Sequence, residues 1–311
     1  MYDNKAAGAS RSAGKSWLRA VAGLAALGVL VLTGAASAPA GAATAQAAAT
    51  TGHIYWANVD PNGDTGTIGH AGLDGTGANQ SFIPSATQPA SQPGGVAADA
   101  AHVYWTNDQA GTVGRANLDG TGANQSFITG AALPGGVAVD AAHVYWANFA
   151  TQTIGRANLD GTGADQNFIT GAARPTGVAV DAAHVYWANL ATGTIGRADL
   201  DGTGADQNFI TGATRPNGVA VNAAHVYWSD SRANAIGRAD LDGTGVNPSF
   251  IGASDAWGVA VDGAHLYWAS NLPRTIGRAK LDGTNVNQSF ITGTTFAQIA
   301  TGVAVDHTAS P

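Results

Sequence analysis

Gly136-Val-Ala-Val-Asp140-Ala-Ala-His143-Val-Tyr-Trp146 opens a unit of 41 residues that ends at Thr176. Val137 and Val139 fall on one face of a short extended run, and His143–Trp146 is aromatic and β-branched, the composition of a strand. Thr153-Ile-Gly-Arg-Ala-Asn-Leu159 alternates and predicts a third strand. Asp160-Gly-Thr-Gly163 has the chemistry of a hairpin turn, with glycine free to take positive φ. Gln166-Asn-Phe-Ile169 predicts a fourth strand, and Arg174-Pro175 breaks the chain before the next unit. Period 2 sends Val144 and Trp146 to one face and Tyr145 to the other, so both aromatics must be covered.

The unit is written six times. Tyr-Trp pairs stand at Tyr55, Tyr104, Tyr145, Tyr186, Tyr227 and Tyr267, separated by steps of 49, 41, 41, 41 and 40 residues. Gly-Val-Ala begins at Gly95, Gly136, Gly177, Gly218, Gly258 and Gly302, and Leu-Asp-Gly-Thr at Leu73, Leu118, Leu159, Leu200, Leu241 and Leu281. Four strands repeated about every 40 residues predict the blades of an all-β propeller. Composition agrees: 43 of 311 residues are Gly, all 21 acidic residues are Asp, and Glu and Cys are absent. Without Glu, and with three Lys and one Met, little remains from which to build helices. Without Cys there is neither a disulfide framework nor a thiolate metal site.

Tyr-Trp-x-(Asp/Asn), Ile-x-Arg-Ala-x-Leu-Asp-Gly and Pro-x-Gly-Val-Ala-Val-Asp resemble the class B (YWTD) repeat of low-density lipoprotein receptors. Pro216-Asn-Gly-Val-Ala-Val221 is similar to that pattern throughout, and the likeness spans about residues 53–306. The resemblance implies a six-bladed β-propeller, in agreement with the independent count, and protein binding on its loop face. The fourth motif position departs, being Asn at Asn58, Asn107, Asn148 and Asn189, Asp at Asp230 and Ser at Ser270. The EGF-like modules that accompany such receptors are missing from the chain.

The order of strands predicts how the ring closes. The first repeat starts at His53-Ile-Tyr-Trp56 without an innermost strand, whereas Gly302-Val-Ala-Val-Asp306 is an innermost strand with no Tyr-Trp after it. The C-terminal strand should therefore complete the first blade and remove the open edges.

The first 47 residues are of another kind. Lys5, Arg11, Lys15 and Arg19 precede 13 apolar residues from Ala20 to Leu32, and Ala-x-Ala sites lie at Ala43–Ala45 and Ala45–Ala47. This pattern predicts a secretory signal peptide cut after Ala45 or Ala47, leaving 48–311 as one exported propeller. The apolar run falls short of the roughly 20 residues that a membrane span needs, so no membrane insertion is expected after cleavage. Removal of 1–47 takes four of 14 basic and one of 21 acidic residues, leaving a formal charge of −10. That charge argues against nucleic acid as partner. A monomer is expected.

Internal repetition also separates structural residues from candidates for a site. His53, His102, His143, His184, His225 and His265 sit at equivalent strand starts and read as structural, as do Arg115, Arg156, Arg197, Arg238 and Arg278. Departures are more informative. Trp146 to Ile154 is 8 residues, but Trp56 to Ile68 is 12; Ile128 to Gly136 is 8, but Ile83 to Gly95 is 12 and Ile291 to Gly302 is 11. In a propeller these connections share one face, so the long ones gather around the first blade, where a rigid scaffold would present them. One-off residues expected on that face are Trp257, Asp60, Asn62, Asp64, Asp230, Arg232, Arg274 and Phe296. Asp60-Pro-Asn62-Gly-Asp64 spaces oxygen ligands alternately, but an EF-hand loop would also need Gly at its sixth position and Glu at its twelfth. Thr65 occupies the sixth and Glu is absent; an Asx-type turn is the reading, with no metal and no cofactor expected.

The leading functional expectation is a non-catalytic binding module that offers loops to a protein or glycan. Two alternatives stand beside it: a lactonase- or lyase-like enzyme with its site at the channel mouth, and a passive surface or matrix component. No His-Glu-x-x-His or Gly-x-Ser-x-Gly motif occurs, and no catalytic residue is named.

Overall fold

The computed structural model describes residues 52–59, 66–83, 92–272, 274–293 and 299–306. All lie in a compact unit running from Ala48 to Pro311. Six four-stranded antiparallel sheets form the blades of a β-propeller. Blade three contains Pro134–Val139, His143–Asn148, Thr153–Asn158 and Asp165–Ile169, from the axis outward. Blade one takes its innermost strand, Ile299–Val305, from the C-terminus and pairs it with His53–Val59. The ring is thus closed by the last strand, as the order of motifs predicts.

Repeated side chains become repeated contacts. Trp146 lies opposite Val137 on one side and Gly155 on the other. A Cβ at Gly155 would fall inside the Trp146 indole, and the same holds for Gly69, Gly114, Gly196, Gly237 and Gly277 with their tryptophans. Glycine in the Ile-Gly-Arg segment is therefore the seat of the indole. Trp146 then donates its Nε1–H to Gln166 at 2.9 Å. All six Trp-Tyr pairs are buried. An aromatic side chain buries roughly 200 Å², which at about 25 cal/mol per Å² gives an upper limit of about 5 kcal/mol each.

Polar groups close each blade and join it to the next. Asp140 accepts from the Ala142 and His143 amides at 2.7 and 2.6 Å and from the Tyr145 hydroxyl at 2.9 Å. Burial, then the hydrogen bond and charge of Asp140, push the Tyr145 hydroxyl pKa up. Arg156 lies 3.9 Å above the Phe168 ring and donates to the Leu200 carbonyl of blade four at 3.0 Å. In the Asp-Gly-Thr turns the Asp160 carboxylate takes the Thr162 hydroxyl and amide at 2.6 and 2.9 Å, which holds its pKa down. Two repeats break the pattern. In blade five Pro248 stands where Gln166 and Gln207 stand elsewhere, and Trp228 Nε1 is left buried without an acceptor. In blade six Gln288 donates to the Gly252 carbonyl at 2.6 Å, and Trp268 Nε1 is likewise without one.

Candidate functional site

Two kinds of connection meet on one face of the ring. The Phe149 and Ala150 amides, after the second strand of blade three, donate to the Leu133 and Ala132 carbonyls of the link entering that blade. Asn148 fastens the same link by accepting from the Ala132 amide at 2.9 Å. This loop face carries Arg174 and Arg215, at one position in two successive blades, and the one-off Arg232 and Arg274, whereas the repeated Asp-Gly-Thr turns occupy the opposite face.

The six innermost strands enclose an axial cavity of about 620 Å³. Its wall is made of repeated Gly, Val and Ala, so the fold alone supplies an apolar tube. Near the loop face, Gly95, Gly136, Gly177, Gly218, Gly258 and Gly302 form a collar. A Cβ on any of them would come within 2.6–3.1 Å of the Cα of the next glycine round the ring. Six carbons at van der Waals spacing, roughly 4 Å, stand on a circle of about that radius, leaving an opening roughly 4 Å across. Water passes such an opening, but the body of an organic ligand does not. Anything larger is stopped at the collar, which separates the mouth on the loop face from the rest of the cavity.

The rim of the mouth is where the repeats stop agreeing. At the position after the buried Asn, successive blades carry Val59, Asp108, Phe149, Leu190, Ser231 and Asn271. Before the innermost strand stand Gln92, Leu133, Arg174, Arg215 and Asp255 in blades two to six. One residue before the collar come Gly94, Gly135, Thr176, Asn217 and Trp257. Leu133, Arg174 and Asp255 adopt left-handed backbone, with φ of 49, 55 and 46°. Non-glycine residues avoid that region unless their surroundings impose it, and such strain gathers at functional sites. Leu133 is 45 % exposed, an apolar side chain held open at the rim.

The residues singled out from sequence are distributed as follows. Trp257 lines the mouth, half-buried, with its Nε1–H donated to Asp255 at 2.9 Å and Arg215 5.9 Å from its ring. Arg232 is exposed in the turn after the second strand of blade five. Arg274 has a left-handed φ of 68°, and its carbonyl accepts from Gly293 at 3.1 Å. Asp230 does not face outward: it is buried and accepts from the Thr214 amide and hydroxyl, the Arg215 amide and the Ala233 amide at 2.6–3.1 Å. Burial would raise its pKa, but these donors prevail and hold the carboxyl below its usual range. It does for its own loop what Asn148 does in blade three. Trp257, Arg232 and Arg274 therefore share the loop face of blades five and six, while Asp60, Asn62, Asp64 and Phe296 lie outside the described residues.

Two rim residues were not picked out from sequence, Asp108 and Leu133. The available signal was alignment of the repeats: Asp108 replaces the apolar Val59, Phe149 and Leu190 of neighbouring blades. Burial raises its carboxyl pKa above the usual range, with no cation near enough to oppose the shift. It is the one ionisable residue among the described residues lining the cavity. Among the described residues no three metal-ligating side chains converge.

No family model matches the chain, and no curated protein matches it. Solved structures do. A chain of a nidogen/laminin complex is 21 % identical with a TM-score of 0.68, over 82 % of this chain and 98 % of that one. The virginiamycin B lyase of Staphylococcus aureus is 19 % identical with a TM-score of 0.52, over 69 % of this chain and 76 % of its own. A gluconolactonase of Xanthomonas campestris is 18 % identical with a TM-score of 0.53, over 68 % and 77 %. At such identities the likeness establishes the propeller fold, the architecture implied by the YWTD resemblance.

Proposed function

We propose that the chain is an exported, non-catalytic binding module that takes a protein partner on its loop face, at the mouth of the axial channel. The observation that carries this reading is the distribution of difference among six copies. Blade interiors and opposite-face turns repeat nearly unchanged, whereas one rim position differs in all six blades and each of the other two is shared by only one pair of neighbouring blades. A purely structural ring has no need of such a rim. Likeness to a propeller from a nidogen/laminin complex favours a protein over a glycan as partner. Export rests on the basic, apolar and Ala-x-Ala segments of residues 1–47.

Catalysis is the alternative that the lyase and gluconolactonase likenesses keep in view. An acid–base mechanism would need a second titratable group beside Asp108, and the described lining offers none. The binding reading needs only the rim.

The test uses immobilised protein beginning at Ala48 to capture proteins from the surface and medium of the producing cells. Three forms are compared: the parent, a form with loops 57–67 and 84–94 shortened, and a form with Asp160-Gly-Thr162 altered on the opposite face. A partner held by the parent and the turn variant but lost by the loop variant is expected. A partner that ignores both loops, or depends on the turn instead, overturns the assignment; capture of glycans alone replaces the protein partner.

A further inference from the structure

We propose that the channel mouth accepts an organic ammonium group, a lysine side chain of the partner protein, paired with the carboxylate of Asp108. This rests on the binding reading above and adds the chemistry of the group recognised.

Each other aspartate in the described residues has a hydrogen-bonding or ionic partner for its carboxylate. Those of the Asp-Gly-Thr turns hold a threonine, as Asp119 holds Thr121. Those following the innermost strands hold two amides and a tyrosine, as Asp99 does. Asp255 takes the Trp257 indole, and Asp230 is saturated by its loop. Asp108 alone has no such partner. Its amide donates to the Gln92 carbonyl at 2.9 Å and its carbonyl accepts from Gly111 at 3.2 Å, so the backbone is tied while the carboxylate is left over.

Asp108 lines the cavity, half withdrawn from water, and the apolar Val59, Leu133 and Phe149 are in the same lining. A carboxylate deprived of water and left unpaired costs free energy that an incoming cation returns. Leu133, exposed and with a left-handed backbone, offers apolar surface for the methylene stem of such a ligand, whereas the Phe149 ring is already covered by the Arg174 guanidinium, 4.8 Å from its centroid. The collar beneath stops the chain from passing down the axis. A flexible stem ending in one ammonium group fits these features better than a bulky cation or an anion.

The experiment titrates the mature protein with three small probes, n-butylammonium, 1-butanol and butyrate, and follows the backbone amide NMR signals of Asp108, Leu133 and Phe149. Butylammonium should bind at the mouth at least about tenfold more tightly than butanol, about the strength of one charge-assisted hydrogen bond, and butyrate should not bind. Asp108→Asn should reduce butylammonium to the level of butanol. Asp108→Leu should do the same, and since Leu190 occupies that position in blade four the variant is expected to fold. Preference for the ammonium should fade on acidification, starting at a higher pH than for an ordinary aspartate because burial raises this carboxyl's pKa. Equal binding of butanol and butylammonium, an unchanged preference in Asp108→Asn, or no shift at the mouth each overturns the proposal. The two readings fail separately. A loop-dependent partner with no ammonium preference removes this proposal alone, and an Asp108-dependent ammonium site without such a partner removes the binding-module reading alone.

Discussion

Blade three and blade one contain the same four strands, yet they are held in different ways. In blade three, Arg156 covers Phe168 and reaches the Leu200 carbonyl of the following blade. Blades two, four and six make the same reach from Arg115, Arg197 and Arg278. In blade one that position is His70, which stacks on Phe82 at 3.9 Å and on His53 at 5.5 Å. Its Nδ1 is buried without a partner, and among the described residues no hydrogen bond from His70 to blade two replaces that of the arginine. Blade three holds its Tyr145 with Asp140, five residues away in the same hairpin. Blade one holds Tyr55 with Asp306, 251 residues away. Closure thus replaces a local contact with one between the two ends of the propeller, in the blade where histidine stands in place of the repeated arginine.

The largest effect should follow removal of residues 300–311, which takes away the innermost strand of blade one and exposes the hydrogen-bonding edge of His53–Val59. Loss of the cooperative melt and aggregation are expected; a truncated protein melting at the parent temperature would break the comparison outright. Next comes the indole seat, common to both blades. Gly155→Ala should cost about 3 kcal/mol by overpacking against Trp146, and Gly69→Ala the same against Trp56. Denaturant titration compares them, and a much smaller cost at Gly69 would reveal a blade one that gives way under pressure.

Asp306→Ala removes an acceptor from the His53 amide at 2.6 Å and from the Tyr55 hydroxyl at 3.4 Å. It should cost about 2 kcal/mol, more than the roughly 1 kcal/mol of Asp140→Ala, because Asp306 joins distant segments in a buried place. Equal costs in urea unfolding would mean that closure depends on the strand ladder rather than on this carboxylate.

The smallest effect concerns His70. Burial, then the neighbouring His53, hold its pKa below the ordinary value, against the pull of Asp306. The unfolded chain therefore takes up this proton first. Stability from neutral His70 is complete above about pH 6.5 and is lost as pH falls from there toward the lowered folded value. His70→Arg should remove that part of the pH dependence and restore the reach to blade two. A gain of about 1 kcal/mol would raise the melting temperature by roughly 2–4 °C. His265 is shifted in the same direction by burial, so the informative quantity is the difference between the two pH profiles. Parallel profiles would detach His70 from acid sensitivity.

Strand order and closure were legible in sequence because they depend on alternation and turn chemistry, which adjacent residues carry. The tryptophan seat was not, because glycine in Ile-Gly-Arg gives no sign of an indole arriving from the neighbouring strand. The reach of the repeated arginines was hidden likewise, since each acceptor lies 44 residues ahead in a different blade for Arg115, Arg156 and Arg197. At the site, Trp257 stood out by size. Asp230 stood out as a one-off charge, yet its loop uses it as a clamp. Asp108 showed in sequence only as a charge where blades one, three and four are apolar; its lack of partners exists only in three dimensions.

The glycine collar has a consequence for the history of the chain. Tandem copies as alike as blades three and four differ at few positions, so a gain or loss of one whole copy would leave every local sequence signal intact. The collar would register the change. A seventh copy would part the glycines and relieve the ban on larger side chains, and a fifth-copy ring would drive their backbones into one another. Six glycines in mutual contact thus work as a gauge of copy number, set into the one part of each repeat that meets its counterparts.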